Sequence, residues 1–280
     1  MPVREAIKRL HELPTLPSSL AQVINTANDP EASALDLGRF IAADQSLSAT
    51  LLRLVNSSYY GFYRQISSVT TAIVILGFLE VRNLVFASTT IRTFPESAGG
   101  HDLGQLWRHA LATGMAAERA SRIMRTPIGQ GPFIAGLLHD IGRVALLLLY
   151  PADYGKVLAD NIESDQALIE HEEKVFGCSH AEVGALLAEQ WNLPDAIIAA
   201  VRWHHAPEKC PIDPDIAYLT AVSNYIAHAA GFGLSVQNPL PYPEHAALQI
   251  GLTPEKIELV RTKIVEAEAS ISELTGMMRT

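Results

Sequence analysis

Only two cysteines occur in the 280 residues, Cys178 and Cys210, and they form no Cys-X-X-Cys pair. A disulfide framework is thereby excluded, and reduced thiols in a cytoplasmic protein are the simplest reading. Cys178 lies two residues before His180; a thiolate ligand is one reading of it, a small buried hydrophobe the plainer one. Runs of lysine or arginine are missing as well. With 21 Lys and Arg against 30 Asp and Glu, the formal charge is −9. Such a mean field repels phosphates, which disfavours nucleic acid and anionic membrane as partners. The most apolar stretches, Val69–Phe86 and Ile134–Tyr150, are interrupted by Glu80 and Arg82 and by His139, Asp140 and Arg143. Neither offers the roughly twenty uninterrupted apolar residues of a membrane span. The opening Met1-Pro-Val-Arg-Glu5 has no signal-peptide core. Strand signals are nearly absent too, with no regular period-two alternation and no Asn-Gly or Asp-Gly turn.

What is present is helical. Hydrophobic residues make up 48% and charged residues 18% of the chain, a globular composition long enough to bury a sizeable core. Leu20, Val23, Ile24 and Ala27 follow Ser18-Ser19 at helical spacing and stop at Asn28-Asp29-Pro30. Asp44 can cap a helix from Leu47 to Val55, and Ser67-Ser68 restarts one that Gly77 closes. Asn56 and Gly61 set a turn between them. Residues 95–104 are the clearest break. Beyond it the pattern predicts helices over Leu106–Arg125, Phe133–Tyr150, Asp153–Asn161, Asp165–Phe176, Ser179–Trp191, Pro194–His204, Ile216–Ala230 and Thr253–Met277, with a turn at residues 126–129. The fold class is all-α, organised as an N-terminal helical subdomain (1–98), a histidine-bearing subdomain (99–230) and a C-terminal loop and helix (231–280).

The chemistry-bearing residues cluster in that second part. His139 and Asp140 stand side by side inside an apolar run, with His109 thirty positions before His139, His180 forty after Asp140, and the doublet His204-His205 further on. A buried imidazole beside a buried carboxylate must be compensated, by a metal ion, a hydrogen-bonded pair or a water-filled cleft. Imidazole with carboxylate suits zinc, iron, nickel or manganese. Neighbours on a helix point about 100° apart, so the doublet serves two ions through a bridging carboxylate more readily than it chelates one. Each residue also has a plain reading: a core histidine, a hydrogen-bonded pair, or, for His204-His205, a favourable helix C-terminus. His11, His101, His171, His228 and His245 read as solvent or loop positions.

The order His109 … His139-Asp140-Ile141-Gly142-Arg143 … His180 … His204-His205 resembles the HD superfamily of metal-dependent phosphohydrolases, especially the HD-GYP cyclic di-GMP phosphodiesterases. Leu13-Pro14-Thr15-Leu16-Pro17, Asp44-Gln45-Ser46-Leu47, Leu52-Arg53-Leu54-Val55-Asn56-Ser57, Tyr60-Gly61, Ile66-Ser67-Ser68 and Ile75-Leu76-Gly77 narrow the likeness to the HDOD family. Ser179-His180-Ala181-Glu182-Val183-Gly184 and Trp191-Asn192-Leu193-Pro194 agree, and the likeness runs from about residue 6 to about 230.

The resemblance implies a bacterial signalling module that acts on a signalling protein partner or a small nucleotide-like ligand. It also implies metal-ligand positions at His109, His139, Asp140, His180, His204 and His205, for one or two divalent ions (Fe, Mn, Zn or Ni). The enzymatic alternative is a phosphohydrolase acting on a phosphoester or cyclic dinucleotide, in which Asp140 bridges the ions and Arg143 stabilises charge at phosphorus. The departures favour the signalling reading. Asn224 stands where an HD enzyme carries its last metal-binding Asp, Gln105 stands for an acidic residue one turn before His109, and no GYP signature follows His205.

Overall fold

The computed structural model describes residues 9–16, 34–124, 128, 131–159, 164–233 and 240–279. The helix expected over 18–30 lies outside these, as does the turn at 126–129 apart from Ile128. Helices carry the described chain, in keeping with the all-α class. Two compact units emerge, one of Thr15–Pro95 with Ala267–Thr280, the other of Met1–Pro14 with Glu96–Glu266. The residues after 230 are therefore no piece of their own: they divide between the two units at Glu266.

The first unit opens with α1 (Ala34–Ala43), α2 (Gln45–Val55), α3 (Val69–Leu76) and α4 (Phe78–Thr93). Asp44 caps α2 by accepting from the Leu47 N–H at 3.0 Å, and Ser68 caps α3 by accepting from the Thr71 N–H at 3.1 Å. Asn56 exchanges two hydrogen bonds of 2.8 Å with the Ile66 backbone, imitating a strand neighbour and closing the loop around Gly61. At Gly77 the backbone takes φ 87°, a conformation only glycine adopts cheaply, and α4 leaves α3 at 120°.

In the second unit, β1 (Ser97–Ala98) and β2 (His101–Asp102) pair antiparallel. Gly99 and Gly100 join them with φ 57° and 84°, a two-residue turn that a reading of 95–104 as mere loop overlooks. The helices follow as α5 (Gly104–Ser121), α6 (Pro132–Leu138), α7 (Ile141–Leu149), α8 (Pro151–Ala159), α9 (Asp165–Phe176), α10 (His180–Gln190), α11 (Asp195–Trp203) and α12 (Pro214–Ala227). A π turn, His228–Phe232, leads on to α13 (Glu244–Gln249) and α14 (Pro254–Glu266). The Trp191 indole N–H donates to the Pro14 carbonyl at 3.2 Å, so two of the sequence motifs serve architecture.

Two differences from the sequence pattern matter. The apolar stretch Pro132–Leu149 has a mean hydropathy of 1.6 and is 94% buried, which makes it the core of this unit. Yet it is not one helix: α6 ends before His139, and Asp140 takes φ −101°, ψ 12° before α7 begins. The expected helix Thr253–Met277 also breaks, at Ala267, and α15 (Glu268–Arg279) belongs to the first unit. There Arg53 donates to the Met277 carbonyl at 2.6 Å. No glycine or proline stands at that break, so nothing in the local pattern announces it.

Candidate metal centre

Backbone-to-backbone contact sets the centre's geometry. A Cβ on Gly136 of α6 would lie 2.7 Å from the Thr113 carbonyl oxygen of α5. A Cβ on Gly142 of α7 would fall onto the His180 carbonyl oxygen and 2.7 Å from the Gly184 nitrogen of α10. Glycine at these positions lets α6 approach α5 and α7 approach α10 until side chains from these four helices and their junctions share one space. His109 comes from mid-α5, His139 and Asp140 from the break between α6 and α7, His180 from the first position of α10, and His204 and His205 from the end of α11. The break turns both members of the His-Asp doublet inward, which a continuous helix would not.

The six side chains form two groups that share Asp140: His109, His139 and Asp140, and Asp140, His180, His204 and His205. Within each group the ligand atoms lie within 4.8 Å of one another. The two carboxylate oxygens face opposite ways. Asp140 Oδ1 is 3.2 Å from His180 Nε2 and 3.6 Å from His204 Nε2. Oδ2 is 3.6 Å from His139 Nε2, 3.8 Å from His109 Nε2 and 3.0 Å from Arg143 Nε.

The other ring nitrogen of four of these histidines is fixed. His109 Nδ1–H donates to the Phe232 carbonyl at 2.9 Å, His139 to Gly136 at 2.8 Å and His204 to Val201 at 2.7 Å. His180 Nδ1–H donates to Glu172 Oε2 at 2.7 Å. Such outer partners set the tautomer and turn the Nε2 lone pair toward a metal. His109 Nε2 and His139 Nε2 then stand 3.2 Å apart with a lone pair on each. Asp140 Oδ1 and His204 Nε2 have no hydrogen-bond partner although buried. Facing lone pairs and orphaned acceptors are unfavourable unless a cation lies among them, and the donor set fits a divalent ion.

Electrostatics agree. Burial, with His139 beside it, pushes His109 well below the ordinary imidazole value, and burial takes His139 down to about 3. Burial and His204 do the same to His205. These rings are neutral, as ligands must be. His180 behaves differently: against its burial, the Glu172 carboxylate holds it up at about 9. Asp140 stays ionised because, against the burial penalty, the Arg143 guanidinium beside it lowers it well below the usual carboxylate range.

Arg143 is 2% exposed and does not line the adjoining cavity. Its Nε is close to Asp140 Oδ2, but the angle is not that of a hydrogen bond, so the pair is an ion pair that orients and neutralises Asp140. Gln105 is exposed, whereas His109, one turn on in α5, is buried. Asn224 is 5% exposed and its Oδ1 lacks a partner. Cys178 belongs to neither group, and burial raises its thiol to about 11.

Several residues escape the sequence reading. Glu172, fully buried, accepts from the Tyr154 hydroxyl at 2.6 Å and from both Nδ1 and the backbone of His180. Its signal was there: Leu168, Glu172 and Phe176 form the buried stripe of α9, and a carboxylate on an apolar stripe calls for a partner. Asp165 Oδ2 lies 3.6 Å from His205 Nδ1. His228, read as a loop residue, packs edge-on against His109 with ring centres 4.9 Å apart, and His245 lines the cavity.

Comparison with known proteins matches the HDOD domain over residues 13–207. A protein of Treponema pallidum (strain Nichols) is 28% identical over 226 residues, 78% of this chain but 43% of that protein; this chain thus spans less than half of its relative's length. Among solved structures, one from Marinobacter aquaeolei VT8, provisionally named a signal transduction protein, has TM-score 0.84 at 24% identity, covering 100% of this chain and 65% of that one. Another, from Shewanella amazonensis SB2B and provisionally named a phosphohydrolase, has TM-score 0.75 at 21% identity, covering 98% and 97%. At these identities the structures establish a shared fold, and the match over residues 13–207 establishes more: the chain belongs to the HDOD family.

Proposed function

We propose that the chain is a bacterial signal-transduction module of the cytoplasm whose buried cluster holds one or two divalent ions (iron, manganese, zinc or nickel) and binds a phosphate-bearing ligand. Regulation then passes through a small nucleotide-like ligand or a signalling protein partner, without nucleic acid or membrane. The observation that carries this reading is the pair of ligand groups sharing Asp140, with orphaned buried acceptors between them. A bound divalent ion supplies Lewis-acid polarisation of a phosphoryl oxygen. The protein's own part is orientation. Carbonyls and Glu172 fix four imidazoles, Arg143 fixes Asp140, and His204 and His205 present the cluster to a cavity of about 580 Å³.

A second reading is a metal-dependent phosphohydrolase. It is favoured by the presence of all six expected ligands around one space and by the name given to the Shewanella protein. Against it stand Asn224 in place of a carboxylate and the engagement of Arg143 with Asp140 rather than with the cavity. Elemental analysis of untagged protein, with His139→Ala and Asp140→Ala as controls, separates the readings when paired with hydrolysis of bis(4-nitrophenyl) phosphate and of cyclic dinucleotides. Metal without turnover supports the regulatory module. Metal with turnover that both variants lose supports the enzyme, and a metal-free protein removes both.

A further inference from the structure

The cavity beside the cluster has two unlike walls. His204, His205 and Asn224 form the inner one, with Asn224 Oδ1 buried and unpartnered. The outer one includes Pro241, Tyr242 and Glu244, which lie beyond the residues matched to the HDOD domain. Tyr225 and Tyr242 stand there nearly perpendicular, at 89°, with ring centres 5.6 Å apart. The formal charges on this lining are carboxylates, Asp165, Glu208 and Glu244, and no lysine or arginine is among the described lining residues.

We infer that this cavity selects phosphoesters with a single phosphoryl group and an uncharged, ring-bearing remainder, and rejects those with a second anionic group. The inference rests on the phosphate-binding reading of the cluster. A phosphoryl group is drawn to the cluster end, where bound cations would supply positive charge. Whatever it carries must then occupy the tyrosine end. A flat ring finds aromatic faces and edges there. A second phosphate would instead meet Glu208 and Glu244, with no lysine or arginine among the described lining residues to answer them, and like charges facing each other across a binding site are repulsive. The volume, about 580 Å³, lies within the range of about 300–1,000 Å³ that small-molecule sites occupy. A mononucleotide-like ester satisfies these demands and a cyclic dinucleotide, with two phosphates, does not.

The test is equilibrium binding to the Mn²⁺-loaded protein of three phosphonates, none of which has an ester bond to break. Methylphosphonate carries no ring, phenylphosphonate adds one, and 4-carboxyphenylphosphonate adds a negative charge to the ring. Calorimetry should show phenylphosphonate binding about ten-fold more tightly than methylphosphonate. Tyr242→Ala should remove that gain while leaving methylphosphonate and the melting temperature unchanged, since Tyr242 is 40% exposed. The carboxylated ring should bind about ten-fold more weakly than the plain one, and Glu208→Gln with Glu244→Gln should narrow that gap. Equal binding of the methyl and phenyl compounds, or of the plain and carboxylated rings, overturns the inference while leaving the phosphate site standing. If none of the three binds, the phosphate-binding reading itself fails and takes the inference with it.

Discussion

Glu172 Oε2 accepts two hydrogen bonds from one residue, His180, at 2.7 Å from the ring Nδ1 and 2.8 Å from the backbone N–H. One carboxylate thus satisfies the first amide of α10 and fixes the imidazole that faces Asp140. Its other oxygen accepts from Tyr154, which locks the carboxylate in turn. A carboxylate–histidine pair of this kind raises the basicity of the ring and sets its direction.

Glu172→Gln should therefore keep the fold and weaken metal. The amide oxygen can still accept from His180, but the anionic support is gone, and affinity should fall by about 10- to 100-fold. Competition with a chromophoric chelator measures it. Glu172→Ala is a different case, because it strands two N–H groups and a hydroxyl in the core. It should cost about 3 kcal/mol or more in urea unfolding. Unaltered metal affinity in Glu172→Gln would reduce the pair to a structural contact.

The shared position of Asp140 predicts an unequal response to mutation. His109→Ala should deplete the ion on the His109–His139 side, and His205→Ala the ion on the other, each leaving its neighbour. Asp140→Asn should deplete both, since each group contains that carboxylate. Metal content per protein, measured on each purified variant, decides the matter. Equal losses in all three variants would mean that the two groups act as a single site.

Close helix approach makes the centre sensitive to a methyl group. In Gly142→Ala the new Cβ would overlap the His180 carbonyl oxygen, which is backbone and cannot swing aside. Separating α7 from α10 should cost about 3 kcal/mol and move His180 away from Asp140. The expected result is a lower urea midpoint with an unchanged slope, together with reduced metal content. A variant as stable as the parent would show that the helices have slack.

The cluster was legible in sequence because its members are polar residues in apolar surroundings. His139 and Asp140 interrupt a core run, and that contrast marks them. The break at the doublet was not legible: Leu138, His139 and Ile141 have no helix-breaking tendency, and only tertiary packing decides that the backbone turns there. Glu172 was concealed by company, sitting between Glu170 and Glu173 on a helix with ordinary solvent-facing acids. His228 was concealed by its place at a helix end, where loop character is the usual outcome. The Gly99-Gly100 pair was visible as part of the break over 95–104, but its paired positive φ values make it the turn of a short hairpin. Capping residues Asp44 and Ser68 behave as local chemistry demands, since a cap answers to its own backbone and little else.

Asn224 offers the one substitution expected to strengthen the centre. It lines the cavity with His204 and His205, is 5% exposed, and leaves Oδ1 without a hydrogen bond. Asn224→Asp is nearly isosteric, so it changes charge and little else. Without metal the added carboxylate is buried beside the cavity with no cation of its own, and the variant should melt below the parent. With a divalent ion bound, the same charge becomes an attractive partner; at a separation of about 4 Å and an effective dielectric of about 20, a unit pair gains about 4 kcal/mol before desolvation. Metal affinity on the His180–His204–His205 side should then rise at least about ten-fold. The decisive measurement is the melting temperature of parent and variant, each with chelator and with saturating Mn²⁺. A crossing, with the variant lower when stripped and higher when loaded, places the residue 224 side chain at the ion; a variant displaced by the same amount in both states places it elsewhere.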